Sequence, residues 1–334
     1  MRIVFHIGMG KTGTSSIQHV LQNSADELEK QNAAYLGMWF TAIDPAYKGH
    51  EGFAKFGAQT DNEMAASADR FHAYLVDRAG RDGIETFIFS NEGLFGAGAK
   101  LGPFFRNLKA HGLSMSFVAY MRDPRAWLPS AYTQWAIRHK VNEGPVQDFS
   151  TAARRLIGQY EGTRFWQQNF DDVLTVRPFE AGTDVVQDFA STVGVTLPET
   201  DTRKLERAEP ADILLRAMFN TRFPDQVLPD RFDRFFANTS RAPVPSLQEM
   251  AKRCFSHNGA EKIIAEKREL FEYIRDSVGF DFLDGNPKPS KTPDEGELQR
   301  RVIDYLVEVT FDQAQRLKRL ERLVNDLKAQ GDGS

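Results

Sequence analysis

The chain has 334 residues, 41% hydrophobic and 26% charged, and carries a formal net charge of −4. That length can bury a large α/β core, and the composition is ordinary for a soluble globular protein. The acidic balance excludes a global basic field for nucleic acid, so an anion site must be local, and the single cysteine, Cys254, excludes an internal disulfide and a cysteine-built zinc cluster.

In chain order, Arg2 to Ile7 is a β-branched and aromatic run that predicts a buried strand. A strand starting at the second residue leaves no room for a signal peptide, and no apolar run is long enough to span a bilayer. The expected location is therefore cytoplasmic. The strand breaks at Gly8-Met-Gly10, and Lys11-Thr-Gly-Thr-Ser-Ser16 leads into a helix expected from about Thr14 to Lys30, with Ile17, Val20 and Leu21 on one face. Such a strand, glycine turn and helix N-terminus gather backbone N–H groups and the positive end of the helix dipole. Lys11 adds a full charge, and Thr12, Thr14, Ser15 and Ser16 add hydroxyls. The stretch predicts a phosphate or sulfate site. A triphosphate loop of the type Gly-x-x-x-x-Gly-Lys-Ser/Thr would need glycine where Phe5 stands, inside the strand. The loop suits one phosphate, with Lys11 at the bond to the next group.

Ala33 to Gly37 reads as a short strand, and 38–62 as a loop or cap in which acceptor-binding residues could sit. A helix follows over Glu63 to Arg78, with Phe71, Tyr74 and Leu75 inside. Glu85 to Asn91 is the next strand, and Glu92 stands at its carboxyl end, where open parallel sheets gather their ligands. Glu92 is either a catalytic base or a cap for the next segment's N–H groups. The base ranks ahead, because Ser90-Asn-Glu-Gly93 joins a strand to a turn. Gly98 to Gly112 is a helical or irregular crossover to a central strand, Ser114 to Met121, which ends in Arg122-Asp-Pro-Arg125. A helix from Asp123 to about Lys140 then carries Ser130. Trp127, Leu128 and Trp135 are its core positions, and Arg138-His-Lys140 offsets its dipole. A planar guanidinium and a helix hydroxyl suit the oxygens of a second phosphate.

Lys11-Thr-Gly-Thr-Ser-Ser16 after the first strand, with Arg122 and Ser130 eight residues apart after a later one, resembles the sulfotransferases that use 3′-phosphoadenosine 5′-phosphosulfate (PAPS). Asp123-Pro124 and Tyr132 also resemble that family, and Phe179-Glu180, Asp184 to Val193 and Gly194-Val195 extend the likeness to about residue 198. The resemblance implies a P-loop-related α/β fold with a central parallel sheet flanked by helices and a helical C-terminal extension. It implies PAPS as co-substrate and its 3′,5′-bisphosphate (PAP) as product, with no metal required. The 5′-phosphosulfate would lie on Lys11, Thr12, Gly13, Thr14, Ser15 and Ser16, and the 3′-phosphate on Arg122 and Ser130. Lys11 and Glu92 would be catalytic. Glu92 resembles the base of the carbohydrate enzymes, which points to a hydroxyl or amine acceptor on a carbohydrate. The family's Arg-Lys-Gly closing loop does not occur; Arg241, Lys252 or Arg253 are candidates for its replacement, and the sequence does not choose among them.

His6 and His50 are the other candidate bases, whereas His19, His72 and His111 show no partner in the sequence. The expected organisation is a PAPS-binding core at 1–198, a mostly helical continuation at 199–293 that closes the site, and a long amphipathic helix at 294–329 after a Pro-rich linker, Asn286 to Pro293. That helix either docks on its own domain or joins two copies. The expected partners are a small-molecule or carbohydrate acceptor and, where the helix joins two copies, a second copy of the chain; neither nucleic acid nor a membrane span is expected. Two rival functions are a small-molecule kinase and a non-catalytic nucleotide-binding or assembly module.

Overall fold

The first expected strand forms as β1 (Arg2–His6) and occupies the middle of a five-stranded parallel sheet ordered β2-β3-β1-β4-β5. The structure is a computed structural model that describes residues 1–180, 182–199, 210–234, 246–257, 259–284 and 293–331. Helix α1 (Thr14–Asn23) follows β1, then α2 (Ala25–Glu29) and β2 (Ala33–Tyr35). Next come α3 (Gly49–Gly57), α4 (Asp61–Asp82), β3 (Thr86–Ser90), α5 (Gly93–Ala110) and β4 (Ser114–Met121). The chain continues through α6 (Pro124–Tyr132), α7 (Phe149–Leu156), α8 (Gly162–Phe170), β5 (Leu174–Pro178) and α9 (Val185–Val193). The remaining helices are α10 (Pro210–Asn220), α11 (Pro229–Arg234), α12 (Leu247–Phe255), α13 (Ala260–Glu266), α14 (Arg268–Val278) and α15 (Glu295–Gly331).

Alternate residues of each strand face opposite sides, so the sequence of the central strands specifies two cores. On one side Val4, Ile88, Val118 and Tyr120 pack with Ile17 and Leu21 of α1 and Val186 and Phe189 of α9. On the other, Phe5 is the hub of an aromatic core. Its ring lies 5.5 Å from Phe117, 5.1 Å from Phe105 and 5.8 Å from Phe89, which brings α5 onto the sheet. Trp166 and Phe170 of α8 close this side against Phe117. Both faces are therefore covered, as an all-parallel sheet requires.

Four expected segments differ in detail. The first helix stops at Asn23 and restarts as α2, because Ser24 leaves helical geometry at φ −118. The stretch read as a loop or cap contains α3. Its glycines hide the helical pattern, but Phe56 is fully buried and stacks on Phe40 at 4.2 Å. The helix carrying Ser130 runs to Tyr132 and continues over Thr133–Arg138 as a π-helix. The pattern of Ala152 to Asn169 also predicts one helix, and the chain there forms two, α7 and α8, separated by a 3₁₀ segment at Ile157–Glu161.

The chain divides into two compact units. One comprises Met1–Ala131, Ala153–Leu205 and Gly259–Pro287, and the other Tyr132–Ala152, Glu206–Asn258 and Lys288–Ser334. The sheet lies in the first. In the second, the basic run at the end of the Ser130 helix has a structural use. Lys140 is fully buried and its Nζ donates to the carbonyls of Asn142 (3.1 Å), Gly144 (2.6 Å) and Phe223 (3.0 Å). It ties chain segments together rather than compensating a dipole, and burial lowers its pKa. No helix among the described residues is long and apolar enough to cross a membrane. The candidate Arg241 and all but the last residue of the linker Asn286 to Pro293 lie outside the described residues.

Candidate functional site

Strands β3, β1 and β4 are neighbours and run parallel, so their carboxyl ends bring three separated sequence segments to one edge of the sheet. The ends stay in register past the strands: Asn91 N–H donates to His6 O at 3.0 Å, and Ile7 N–H to Val118 O at 2.9 Å. The loop after β1 carries Lys11, the turn after β3 carries Glu92, and the end of β4 carries Arg122. This is the crevice in which open α/β sheets bind ligands.

The loop itself is built on left-handed backbone. Gly8, Lys11 and Gly13 have φ of 69°, 67° and 81°. Two of these positions need glycine for space as well. A Cβ on Gly8 would lie 2.6 Å from Glu92 Cβ, and one on Gly13 would lie 2.6 Å from Val185 Cγ1. Of these three, Lys11 bears a side chain in this conformation, which is uncommon for a non-glycine residue and concentrates at functional sites. Two bonds hold the turn in shape: Thr12 Oγ1 donates to Met9 O, and Trp127 Nε1 of α6 donates to Gly10 O at 2.7 Å. Trp127 is fully buried, which fits its expected core role.

The loop then presents donors. Among the described residues, the N–H groups of Thr12, Gly13, Thr14 and Ser15 donate to no other protein group, whereas Ser16 N–H donates to Gly13 O at 2.9 Å. Thr14 is 3% exposed and its Oγ1 has no hydrogen-bond partner. A buried hydroxyl left unpaired beside a row of N–H groups is costly unless an acceptor joins them. Helix α1 has no side-chain cap, since Gly13 occupies the N-cap position. This donor set fits an oxyanion such as a phosphate.

Arg122 turns toward that loop. Its Nη1 lies 3.5 Å from Lys11 O, and its guanidinium carbon stands 5.6 Å from the centroid of the Phe179 ring. Phe179 is also near Gly13, with its Cε2 3.2 Å from where a Cβ would be. Behind Arg122, the buried Tyr160 donates its hydroxyl to Arg122 O at 2.5 Å. The second arginine of the run serves the fold. Arg125 Nε meets Glu261 Oε1 at 2.5 Å and its Nη1 donates to Phe282 O at 2.6 Å, with the side chain only 7% exposed. Ser130 is half-buried on α6, and its hydroxyl makes no hydrogen bond among the described residues. Tyr132 is buried, donating to Gln147 O at 2.7 Å, so it packs the second unit. Lys252 and Arg253 lie on α12, also in the second unit.

Glu92 makes no capping bond to α5; Asn91 Oδ1 instead accepts from Gly93 N–H at 2.8 Å. The Glu92 carboxylate accepts from Gln18 Nε2 at 3.2 Å, and the same amide donates to Ser90 O at 3.0 Å. Gln18 is on α1, one turn after Thr14, so the helix that carries the anion loop also orients the carboxylate. Burial and the Glu92 charge both raise the pKa of Tyr35. The other candidate bases stand differently. His6 is fully buried, bonded through Nδ1 to Ser90 Oγ at 2.7 Å, and burial lowers its pKa to about 3. His50 is exposed and meets the edge of Trp39 at 5.4 Å. His72 and His111, without partners in the sequence reading, stack at 4.6 Å, and His111 Nε2 reaches Asp69 at 2.7 Å.

Sequence reasoning missed Gln18 and gave Phe179 no role. Gln18 lies within no motif, Phe179 only extends the family likeness, and the position of both beside the loop is set by packing. The tight approach of Gly8 to Glu92 gives a direct test. Gly8→Ala should destabilise the fold by roughly 1–3 kcal/mol in chemical denaturation, from left-handed backbone and the clash with Glu92 together. Unchanged stability would show that the two segments do not meet.

No protein-family model and no curated protein matches the chain. Among solved structures, it is similar to a sulfotransferase from Alicyclobacillus acidocaldarius, with 16% identity over 66% of this chain and 91% of that one and a TM-score of 0.37. It is also similar to the sulfotransferase domain from the curacin biosynthetic pathway, with 9% identity over 75% of this chain and 96% of that one and a TM-score of 0.35.

Proposed function

We propose that this protein is a sulfotransferase that moves the sulfuryl group of PAPS to an acceptor hydroxyl or amine. One observation carries the reading: the Arg122 guanidinium reaches the Lys11 turn from the end of the neighbouring strand. In this reading Lys11 and Arg122 offer two cationic positions to one crevice, as a nucleotide with phosphates at both its 3′ and 5′ positions requires. The N–H groups of Thr12 to Ser15 and the Thr14 hydroxyl would hold the 5′-phosphosulfate, with the Ser16 hydroxyl beside them. Arg122 and Ser130 would hold the 3′-phosphate.

The acceptor oxygen or nitrogen attacks sulfur as the bond from sulfur to the bridging phosphate oxygen breaks, and PAP leaves. Glu92, held by Gln18, takes the acceptor proton. Charge grows on the bridging oxygen, where the Lys11 ammonium stabilises it. The sulfuryl group carries less charge than a γ-phosphoryl group, so the chemistry has no intrinsic need for Mg²⁺. A carbohydrate acceptor is part of this proposal, resting on the likeness of Glu92 to the base of the carbohydrate enzymes.

The test of the base is Glu92→Gln, which keeps the shape and the Gln18 contact region but removes the proton acceptor. Turnover with labelled PAPS on a panel of sugar hydroxyl and amine acceptors should fall by ~10²–10⁴-fold, with PAP affinity retained. Full activity across pH would remove Glu92 from the mechanism.

A further inference from the structure

The C-terminal helix α15 runs for 37 residues, about 55 Å of helix. Its first part is docked within the second unit: Leu298 and Val302 are buried, and Tyr305 Oη donates to Asp212 Oδ1 of α10 at 3.4 Å. From Ala314 to Val324 every residue is exposed. Yet eight of the eleven large apolar side chains exposed among the described residues lie on this one helix. Single exposed apolar residues are unremarkable, but a concentration of this kind marks an interaction surface.

The spacing of five of these eight, Ile303, Leu306, Leu317, Leu320 and Val324, says what covers them. Leu317, Leu320 and Val324 stand at successive a, d and a positions of a heptad, and the sequence continues the phase at Leu327. Ile303 and Leu306 occupy the same a and d positions two heptads earlier. Between them the a and d positions hold Thr310 and Gln313, a polar layer of the kind that fixes register in a coiled coil. A sustained 3.5-residue repeat is the pattern of a seam against another helix, narrower than the stripe by which a helix packs on a globular core. The flanking charges select the partner. Arg316 falls at g and Glu321 at the following e, so in a parallel, in-register pair each Arg316 faces Glu321 of the other helix.

We infer that this protein forms a homodimer through a parallel coiled coil of α15 with the same helix of a second copy. The seam is centred on Leu317, Leu320 and Val324. This surface is independent of the proposed chemistry and stands whether or not the crevice transfers sulfuryl groups.

The test is sedimentation velocity on the full chain over a range of concentrations, with a Leu317→Glu/Leu320→Glu variant alongside. The wild type should sediment as a dimer, and the variant should dissociate with a dimer Kd raised at least ~30-fold, as expected for losing two central seam contacts. Both substituted residues are exposed, so circular dichroism should remain that of the wild type. Val324→Cys adds a thiol at a seam position. Because the one native cysteine, Cys254, is buried, oxidation should link the two copies through residue 324. A monomer at every concentration overturns the inference. So does a variant that stays dimeric, a Val324→Cys chain that does not cross-link, or a monomer that instead binds anionic lipid vesicles through this helix.

Discussion

Replacing Lys11 by alanine is expected to lower sulfuryl transfer by ~10²-fold or more, since one well-aimed cation on the developing charge contributes on the order of 3 kcal/mol. The structure separates this effect from damage to the fold. Lys11 is only half-buried, and the turn is held by the Thr12 and Trp127 bonds, neither of which uses the lysine side chain. Alanine occupies the same left-handed backbone at φ 67 with no new strain relative to lysine. Denaturation midpoints should therefore stay close to those of the wild type, and the loss should appear in kcat. A variant with full turnover would mean that the ammonium does not face the bridging oxygen.

Arg122→Ala is the second large effect, and it should appear in binding. A charged hydrogen bond to phosphate contributes about 1.5–3 kcal/mol, so the affinity for PAP should fall by roughly 10- to 150-fold in a calorimetric titration. Lysine should rescue little, because a point charge cannot reproduce the planar fork beside Phe179. Arg125→Ala is the control. Its guanidinium is engaged by Glu261 and by the carbonyl of Phe282, so its loss should lower stability while PAP affinity holds. Equal loss of PAP binding in the two variants would mean that the Arg122 effect comes from a disturbed helix α6.

Much of this was legible in the sequence because strong local signals and topology agree. The run from Arg2 to Ile7, the glycine turn and the helix beginning at Thr14 are contiguous, and each is specified by its own residues. Strand β4 and Arg122 were readable for the same reason, with apolar alternation ending at Asp123-Pro124. The parallel sheet was expected from fold class, and the order that places Glu92 and Arg122 on either side of the Lys11 loop comes from the register of β3, β1 and β4. What escaped was decided by tertiary packing. Helix α3 has too many glycines for its propensity to show, and tertiary packing, with Phe56 buried against Phe40 and Phe104, stabilises it. The bond from Gln18 to Glu92 joins residues 74 apart, and nothing near either one announces it. Lys140 looked like one member of a basic run and is a buried strut for three carbonyls.

In the proposed function, two cationic positions at the ends of neighbouring strands grip one doubly phosphorylated adenosine. Calorimetric titration with PAP, and separately with ATP, each with Mg²⁺ and with a chelator, tests it most directly. PAP binding should be saturable, survive the chelator and weaken in the Arg122→Ala variant, with ATP failing to compete. Tight Mg²⁺-dependent ATP binding together with no PAP binding would contradict it and assign the crevice to phosphoryl chemistry.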